Sequence, residues 1–425
     1  MKRQFLSLLL CAALLLPSLA GCAGKGETAP SPAGGEDAPA LSLPPVEMLA
    51  AAAEPDSALA GETALAALSF AGDLLRQTEG ENRLLSPVSI LCALGMVLSG
   101  ARGETRRQME EALGVSGQTL ASFLGPWLSA LASEEASPLR VADGIWLADK
   151  PGLRVSDAFL ELNREYYGAG VECCPFDEAA LQSINDFVAR NTGGMIDRIL
   201  DRLDPAGVMV LVNALSFEAP WAQPYRENEV IPGEFHPKTG EAREVPFLHH
   251  GEKLWLADEN TTGFLKPYEG GRYAFAALLP AEGLSMEDYL ASLTGEKLLG
   301  LLRGVQKAEV LTEMPKFEVS CSFELTPALR DLGMTDVFDP ARADLGDLGS
   351  CDGGNLYVGQ VAHKTFLQLD ETGTRAGAAT GVVVMEASMR LDEPKRVVLD
   401  RPFVYLLVDL ETSLPLFIGT LDRVE

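Results

Sequence analysis

The sequence is poor in the residues and motifs on which most enzyme active sites depend. It contains only four histidines in 425 residues, and none of them forms a zinc-binding helical pair with another histidine. No Gly-x-Ser-x-Gly elbow, phosphate-binding loop or dinucleotide-binding fingerprint is present. These absences predict a protein that is not an enzyme and that uses no metal and no cofactor.

Basic residues are also scarce. The chain has 34 lysines and arginines against 61 aspartates and glutamates, which gives a formal net charge of -27. An acidic surface repels nucleic-acid phosphates and anionic lipid headgroups. We therefore expect no nucleic-acid partner, no heparin-like activator and no electrostatic binding to membranes, and we expect a monomer.

The N-terminus has the features of an export signal. A positively charged start precedes an apolar run at residues 5–16, which is too short to span a bilayer. Leu19-Ala-Gly-Cys22 follows and resembles a bacterial lipoprotein cleavage box, with ordinary cleavage near Ala20 as the alternative. We predict a signal peptide at residues 1–21 and lipid attachment at Cys22. The lipid would be the only membrane contact and would hold the exported domain at the cell surface or envelope, in an extracellular or periplasmic location.

The rest of the chain divides into a tether and one large domain. Residues 22–56 mix six prolines with alanine, glycine, serine and glutamate, and show no apolar period, which is typical of a disordered linker. No such linker interrupts residues 57–425, so we predict a single domain there. Its odd number of cysteines leaves at least one thiol free, and we expect mainly free thiols with room for one disulfide. These cysteines are Cys92, Cys173, Cys174, Cys321 and Cys351.

Helical patterns precede strand patterns along this domain. Ser86 and Pro87 are suited to a helix N-cap and first helical position, and residues 88–98 are apolar nearly all round, which predicts a buried helix. The apolar run at 208–217 predicts a central strand. Further strands are predicted at 273–279, 308–323, 356–369 and 397–408. Helices followed by strands favour an α+β fold.

The most unusual segment runs from Glu371 to Val384. Apart from Glu371 and Arg375, it contains nothing larger than valine. At the strand period of two, one face carries Thr374, Ala376, Ala378, Thr380 and Val382, all of them small. Such a run fits the middle of a β-sheet. It predicts a structural strand, an aggregation-prone segment, or a loop that becomes a strand.

The segments around this run resemble the serpin family. Residues 356–366 are similar to the strand that leads into the family's reactive loop, and residues 400–405 are similar to the signature that follows it. Other matching segments occur in family order from about residue 60 to the last residues. They include Asn82-Arg-Leu-Leu-Ser-Pro-Val-Ser-Ile90, Ala101-Arg-Gly-Glu-Thr105, Leu211-Val-Asn-Ala214, Met314-Pro-Lys-Phe317 and Leu332-Gly-Met-Thr-Asp336.

This resemblance implies both a fold and an activity. The fold would have helices packed on a large central β-sheet, smaller sheets, and an exposed reactive loop at about 371–400. The protein would be an irreversible suicide-substrate inhibitor of serine proteases, related to the bacterial, lipoprotein-type members. A protease would cleave the loop, and the start of the loop would insert into the main sheet and trap the acyl-enzyme as a covalent 1:1 complex. The native state would be metastable.

The resemblance also assigns three groups of residues. The hinge, the start of the loop, comprises Glu371, Gly373, Thr374, Ala376, Gly377, Ala378, Ala379 and Thr380. The shutter, a hydrogen-bonded cluster under the centre of the main sheet, comprises Ser86, Ser89, Asn213 and His363. The breach, at the top of that sheet, comprises Trp221 and Lys316, with Lys316 paired to Glu371. Arg375 and Gly377 differ from the usual Glu and Ala of the family, but both lie on the outward face.

The reactive bond follows from the family's spacing. The seventeenth residue counted from Glu371 is Ala387, so the predicted bond is Ala387–Ser388, and alanine favours elastase-like or subtilisin-like proteases. The Arg390–Leu391 bond is the second choice and would favour trypsin-like proteases. Inhibition of cysteine proteases stays open. Two alternative functions are a non-inhibitory carrier with the same fold and, less favoured, a hydrolase that uses His363.

Overall fold

The structure, a computed structural model, describes residues 57–134, 137–204, 207–352, 354–374 and 393–424. The predicted signal peptide, Cys22 and the tether lie outside these residues. So do most of the hinge, from Ala376 to Thr380, and both predicted reactive bonds, Ala387–Ser388 and Arg390–Leu391. Within the described part, Cys92, Cys173, Cys174, Cys321 and Cys351 are all free thiols.

Nine α-helices form in the described part of the chain. They are α1 Ser57–Gln77, α2 Pro87–Leu98, α3 Gly103–Leu113, α4 Gly117–Ser133, α5 Asp157–Tyr167, α6 Glu178–Asn191, α7 Met286–Ser292, α8 Gly295–Arg303 and α9 Thr326–Asp331. The predicted start of α2 is confirmed, because the Ser86 Oγ accepts a hydrogen bond from the Ser89 backbone N–H and Pro87 is the first helical residue. The helix is buried along nearly its whole length, as predicted.

The first helix is an unusually apolar element. By length and composition alone, residues Ala58–Gln77 could cross a membrane. However, Ala64, Leu68 and Leu74 are fully buried inside the domain. This burial is what a core helix of a globular domain requires, and it accounts for the apolar composition of α1.

Eighteen strands form in the described residues. They are β1 Arg83–Leu85, β2 Leu139–Ala148, β3 Arg154–Val155, β4 Gly170–Cys174, β5 Met209–Phe217, β6 Ala219–Pro220, β7 Val230–Phe235, β8 Arg243–Ala257, β9 Thr261–Pro267, β10 Tyr273–Pro280, β11 Gln306–Pro315, β12 Phe317–Glu324, β13 Gly349–Ser350, β14 Ala362–Leu369, β15 Gly373–Thr374, β16 Lys395–Val398, β17 Phe403–Asp409 and β18 Leu414–Leu421. Together with the helices they confirm the predicted α+β class.

The strands form four sheets. The largest has the order β1-β18-β17-β10-β9-β8-β11-β16, with β7 paired to β8. The others are β4-β2-β5, β12-β14-β15-β6 and the pair β13-β3. Only Glu218 separates β5 from β6, so the three-stranded and four-stranded sheets lie side by side along the line where β5 approaches β14. We call this line the seam, and its upper end is where Leu369 and Ala219 lie.

Three predicted strands were wrong in extent. The pattern at 308–323 is two strands in different sheets, because the chain turns at Lys316 between Pro315 and Phe317. The pattern at 397–408 is also two strands, separated at Pro402, which has no N–H to continue a ladder. The pattern at 356–369 becomes a strand only from Ala362. In each case the apolar alternation continues past the point where the backbone changes direction.

Candidate functional site

The hinge begins as a short strand at the upper end of the seam. In β15, Gly373 pairs with Pro220 and Thr374 pairs with Ala219, while Thr374 also pairs with Leu369 of β14. The side chain of Thr374 is almost completely buried, with 1% of the residue exposed. Below this point, no strand of the described chain lies between β5 and β14. The upper end of the seam is therefore occupied by β15, whereas along the rest of it β5 and β14 approach each other with no described strand between them.

Gly373 is required by the close approach of two backbones. A Cβ at this position would lie 2.2 Å from the carbonyl oxygen of Ala219 and 2.7 Å from the Cα of Pro220. Both atoms belong to the neighbouring strand and cannot move aside as a flexible side chain would. Any other residue at 373 would push β15 out of the seam.

Three donors hold the turn that precedes β15. The indole Nε1 of Trp221 donates to the Asp370 carbonyl at 2.9 Å, and the Trp221 backbone N–H donates to the Thr372 carbonyl at 2.9 Å. The Tyr225 backbone N–H donates to the Glu371 carbonyl at 2.9 Å. Trp221 thus lies beside the hinge, where the resemblance places it.

Lys316 and Glu371 form the ion pair that the resemblance implies. About a third of each side chain is exposed to solvent. Exposed ion pairs of this kind contribute no more than about 1 kcal/mol to stability. The pair therefore orients the hinge rather than holding it, and the hydrogen bonds from Trp221 and Tyr225 supply most of the anchoring.

Tyr268 is a site residue that no motif in the sequence predicts. It follows β9 directly, and its hydroxyl lies 2.5 Å from the Oγ1 of Thr374. Its ring stacks on Trp221, with the ring centroids 4.4 Å apart and the planes 12° apart. Both hydroxyls of this hydrogen bond are buried. No local pattern marks Tyr268, because only the pairing of Trp221 with Tyr268 brings it to the hinge.

A buried ion pair supports this group of aromatic rings. The Nζ of Lys266 lies 2.7 Å from the Oε1 of Glu252 and 3.2 Å from the carbonyl of Gln223. The same ammonium group lies 4.2 Å from the centre of the Tyr225 ring and 5.3 Å from that of Trp221. Burial lowers the pKa of Lys266, an effect that the nearby Glu252 carboxylate opposes.

We expect Glu252→Leu to destabilise the protein by about 3–5 kcal/mol, because it leaves the Lys266 ammonium group buried without its anion. The double variant Glu252→Leu/Lys266→Met should recover most of this loss, since it replaces the pair with apolar side chains of similar size. Urea unfolding of the two variants and the wild type measures the difference. Equal losses in the single and double variants would contradict the ion-pair explanation.

Three of the four predicted shutter residues come together at the lower end of β14, where the N-terminus of α2 packs against it. The Nε2 of His363, on β14, accepts a hydrogen bond from the Ser86 backbone N–H at 3.0 Å. The Ser86 Oγ accepts from the Ser89 N–H at 3.4 Å. Because the imidazole nitrogen and the serine hydroxyl have different partners, they do not form a nucleophile–base pair. This geometry argues against the hydrolase hypothesis.

Asn213 has a different partner from the one that the resemblance implies. Its amide Nδ2 donates to the carboxylate of Asp143, which lies opposite it on β2. Asn213 still lines a small cavity together with Ser89 and His363. The cavity volume is about 20 Å³, enough for one water molecule. Ser89, Asn213 and His363 therefore border a common space, but the side-chain hydrogen bond of Asn213 goes to Asp143 and not to the serines or to His363.

Asp143 is a second site residue that no sequence motif predicts. It is a single acidic residue in an otherwise mixed strand, and nothing in the local sequence marks it as buried. Burial raises the pKa of Asp143 to about 7, although the hydrogen bond from Asn213 partly opposes this. Burial also lowers the pKa of His363 to about 4. Both groups therefore favour their neutral forms in the folded protein.

These two groups should give the folding free energy opposite pH dependences. The stabilisation from the raised pKa of Asp143 is lost as the pH rises through about 7. The stabilisation from the lowered pKa of His363 is lost as the pH falls from 6.5 towards about 4. In this range folding takes up one proton at Asp143 and releases one at His363. Their pH effects therefore cancel in the wild-type protein.

Each single variant should reveal the effect of the other group. Between about pH 5 and 6.5, the stability of Asp143→Asn should rise with pH relative to the wild type, and that of His363→Gln should fall. Each slope should approach about 1.4 kcal/mol per pH unit, the value for one proton. Urea unfolding across this range is the measurement. Variant profiles parallel to the wild-type profile would show that the two groups are not perturbed in this way.

The described residues offer no metal site, because they contain no group of three histidine, cysteine, aspartate or glutamate side chains placed to hold an ion. The site that they do form consists of two groups of residues, the start of the hinge and the shutter. One end of a sheet holds the start of a small-residue segment, and the other end contains a buried polar cluster. The start of the small-residue segment therefore already lies in the sheet, paired with β14 and β6.

Comparisons with known proteins agree with this arrangement. A family model described as Serpin (serine protease inhibitor) matches residues 63–423. The plasma serine protease inhibitor of Bos taurus is 33% identical over 353 residues, which cover 81% of this chain and 85% of the relative.

Two solved structures are also similar. The native state of Tengpin, a thermophilic serpin, has a TM-score of 0.81 and 37% identity, and the match covers 88% of this chain and 97% of that one. Thyroxine-binding globulin in complex with thyroxine has a TM-score of 0.73 and 26% identity, covering 85% of this chain and 99% of that one.

Proposed function

This chain belongs to the serpin family and has the serpin fold, and on that basis we propose that it is an irreversible suicide-substrate inhibitor of serine proteases. The observation that carries the proposal is the partly filled seam. The hinge occupies its upper end through Gly373 and Thr374, and β5 and β14 flank the part below without an intervening strand in the described chain.

The inhibitory reaction begins as ordinary proteolysis. The catalytic serine of the protease attacks the carbonyl carbon of Ala387, the peptide bond to Ser388 breaks, and Ser388 leaves with a new amino group. The protease remains attached to Ala387 through an ester. Insertion of the hinge into the seam then carries the protease away from its original position and distorts its active site. Water no longer hydrolyses the ester efficiently, so each inhibitor molecule is consumed.

The seam accounts for why insertion is favourable. A strand between β5 and β14 would hydrogen-bond to backbone groups on both of its neighbours. The residues that face inward in the sequence, Thr374, Ala376, Ala378 and Thr380, are all small and uncharged. Insertion must be faster than hydrolysis of the ester, and a charged or large inward-facing residue would slow it.

Because Ala387 has a small side chain, we propose elastase-like or subtilisin-like proteases as the targets, since their specificity pockets accept such a side chain. If the reactive bond is Arg390–Leu391 instead, the targets would be trypsin-like proteases. Cysteine proteases are a further class of target to test. A carrier function is the alternative, because thyroxine-binding globulin has the same fold and binds thyroxine.

The N-terminal segment is proposed to anchor the protein to a membrane. We propose that the signal peptide at residues 1–21 is removed, that Cys22 is lipidated, and that residues 22–56 hold the domain away from the membrane. Membrane fractionation of the wild type and of Cys22→Ala tests this. The wild type should sediment with membranes, and the variant should be released. Release of both proteins would contradict lipidation.

A protease panel tests the inhibitory function. The mature chain without Cys22 is mixed with pancreatic-type elastase, subtilisin and trypsin, followed by denaturing gels and mass spectrometry. A band at the summed mass that survives denaturation, with a C-terminal peptide starting at Ser388, is the expected result. A peptide that starts at Leu391 would move the bond to Arg390. Clean cleavage without a complex for every protease would favour the carrier alternative.

A further inference from the structure

The Tyr268 hydroxyl makes a side-chain hydrogen bond to the first inward-facing residue of the hinge. It lies 2.5 Å from the Oγ1 of Thr374, and both residues are buried, with 0% and 1% of their surface exposed. The backbone of Thr374 is already paired with Leu369 and Ala219. The hydroxyl contact is therefore an additional attachment, made by a residue outside the two strands that flank β15.

Packing fixes the position of the Tyr268 hydroxyl. The ring stacks on Trp221 at 4.4 Å and meets the Phe217 ring edge-to-face at 4.9 Å and 67°. The Tyr268 backbone N–H donates to the Tyr273 carbonyl at 2.9 Å. Because the ring cannot rotate away without losing these contacts, the hydroxyl is preorganised for Thr374.

We propose that Tyr268 is a positioning residue whose hydroxyl holds Thr374 docked in the upper end of the seam, and thereby sets how fast the rest of the hinge inserts. The effect on inhibition rests on the proposed function, whereas the docking of Thr374 does not. Burial raises the pKa of Tyr268 far above its usual value, so the hydroxyl keeps its proton across the working pH range.

The expected size of the effect follows from the environment. Removal of one hydroxyl leaves the other buried without a partner, and a neutral hydrogen bond in such a place shifts an equilibrium by roughly 3- to 10-fold. A hinge that is docked before cleavage needs only to extend a strand that has already begun. A hinge that is undocked must first find its place in the seam, and hydrolysis of the acyl-enzyme then competes more successfully.

Four variants separate the hydroxyl contact from ring packing. Tyr268→Phe and Thr374→Val each remove one side of the contact, and the double variant removes both. Tyr273→Phe is the matched control, because the Tyr273 hydroxyl is buried without a hydrogen-bond partner in the described structure, and its ring also meets Phe217 edge-to-face, at 5.5 Å. It removes a buried tyrosine hydroxyl from the same aromatic group without touching the hinge.

The first readout is hydrogen exchange of the Gly373 and Thr374 amides in the uncleaved protein. Tyr268→Phe and Thr374→Val should each accelerate exchange by roughly 3- to 10-fold. The double variant should exchange no faster than the single variants, because the two groups act through one contact. Tyr273→Phe should match the wild type. Unchanged exchange in Tyr268→Phe, additive effects, or equal acceleration in Tyr273→Phe would each overturn the proposal.

The second readout is the number of inhibitor molecules consumed per protease molecule trapped, which should rise in the same three variants and stay constant in Tyr273→Phe. Together, the readouts separate the two proposals. Accelerated exchange in a protein that traps no protease would leave the hinge contact standing and reject the inhibitory function. Protease trapping by the wild type, with exchange unaffected by Tyr268→Phe, would do the reverse.

Discussion

Thr374→Arg is expected to convert the protein from an inhibitor into an ordinary protease substrate. Thr374 is the inward-facing residue at the start of the hinge, 1% exposed, with its Oγ1 2.5 Å from the Tyr268 hydroxyl. An arginine there would bring an unpaired charge into the seam, at a cost of several kcal/mol. Because each 1.4 kcal/mol is a factor of ten in rate, insertion should slow by about a thousandfold. Hydrolysis of the acyl-enzyme would then win.

The measurement is a denaturing gel of the variant mixed with a protease that the wild type traps. We expect complete cleavage of the variant loop and no band at the summed mass. Thr374→Ser is the matched control, since it keeps the hydroxyl and the small size, and it should still form the complex. A covalent complex with Thr374→Arg at wild-type yield would show that inward-facing charge does not govern insertion.

Cleavage of the reactive loop is expected to raise the melting temperature by about 20 °C. The inserted strand would form on the order of ten backbone hydrogen bonds with β5 and β14, each contributing about 1 kcal/mol. For a domain of this size, 1 kcal/mol corresponds to roughly 2 °C in melting temperature. A rise of this kind would mean that the uncleaved protein is metastable, because its own loop supplies the missing strand.

Thermal unfolding followed by circular dichroism, before and after cleavage within the loop, measures this effect. Thr374→Arg cleaved at the same bond is the control, because the cost of its inward-facing charge should make its rise in melting temperature clearly smaller than that of the wild type. If the cleaved wild type melts at the same temperature as the intact protein, the seam does not take up the loop, and the trapping mechanism fails with it.

Protease trapping and the gain in melting temperature depend on different parts of the structure. We expect trapping of a protease to depend on the rate at which the hinge enters the seam, and the upper end of the seam to control this rate through Tyr268, Trp221 and Gly373. The gain in melting temperature should depend on how many backbone hydrogen bonds the inserted strand forms along the whole seam. A variant at the upper end could therefore lose trapping while a slow insertion still stabilises the cleaved protein, and the Tyr268→Phe variant is suited to detect this separation.

Features that depend on local chemistry could be predicted from the amino-acid sequence. The start of α2 was predictable because Ser86 and Pro87 carry the capping signal themselves, and this was confirmed. The small inward-facing residues of the hinge were visible as a pattern of period two. The fold could be predicted from the resemblance to the serpin family, because many matching segments occur along the chain in the same order as in the family.

Contacts between residues that are distant in the sequence could be identified only in the folded structure. Tyr268 reaches Thr374 across 106 positions, and Asn213 pairs with Asp143 across 70, so no local pattern could reveal either contact. The division of the 308–323 pattern between two sheets was hidden for a related reason, since apolar alternation continues through a turn. Strand pairing and register determine such contacts, and they result from the packing of the whole domain. Local sequence specifies which face of a strand is buried, but the partner on that face is chosen by the fold.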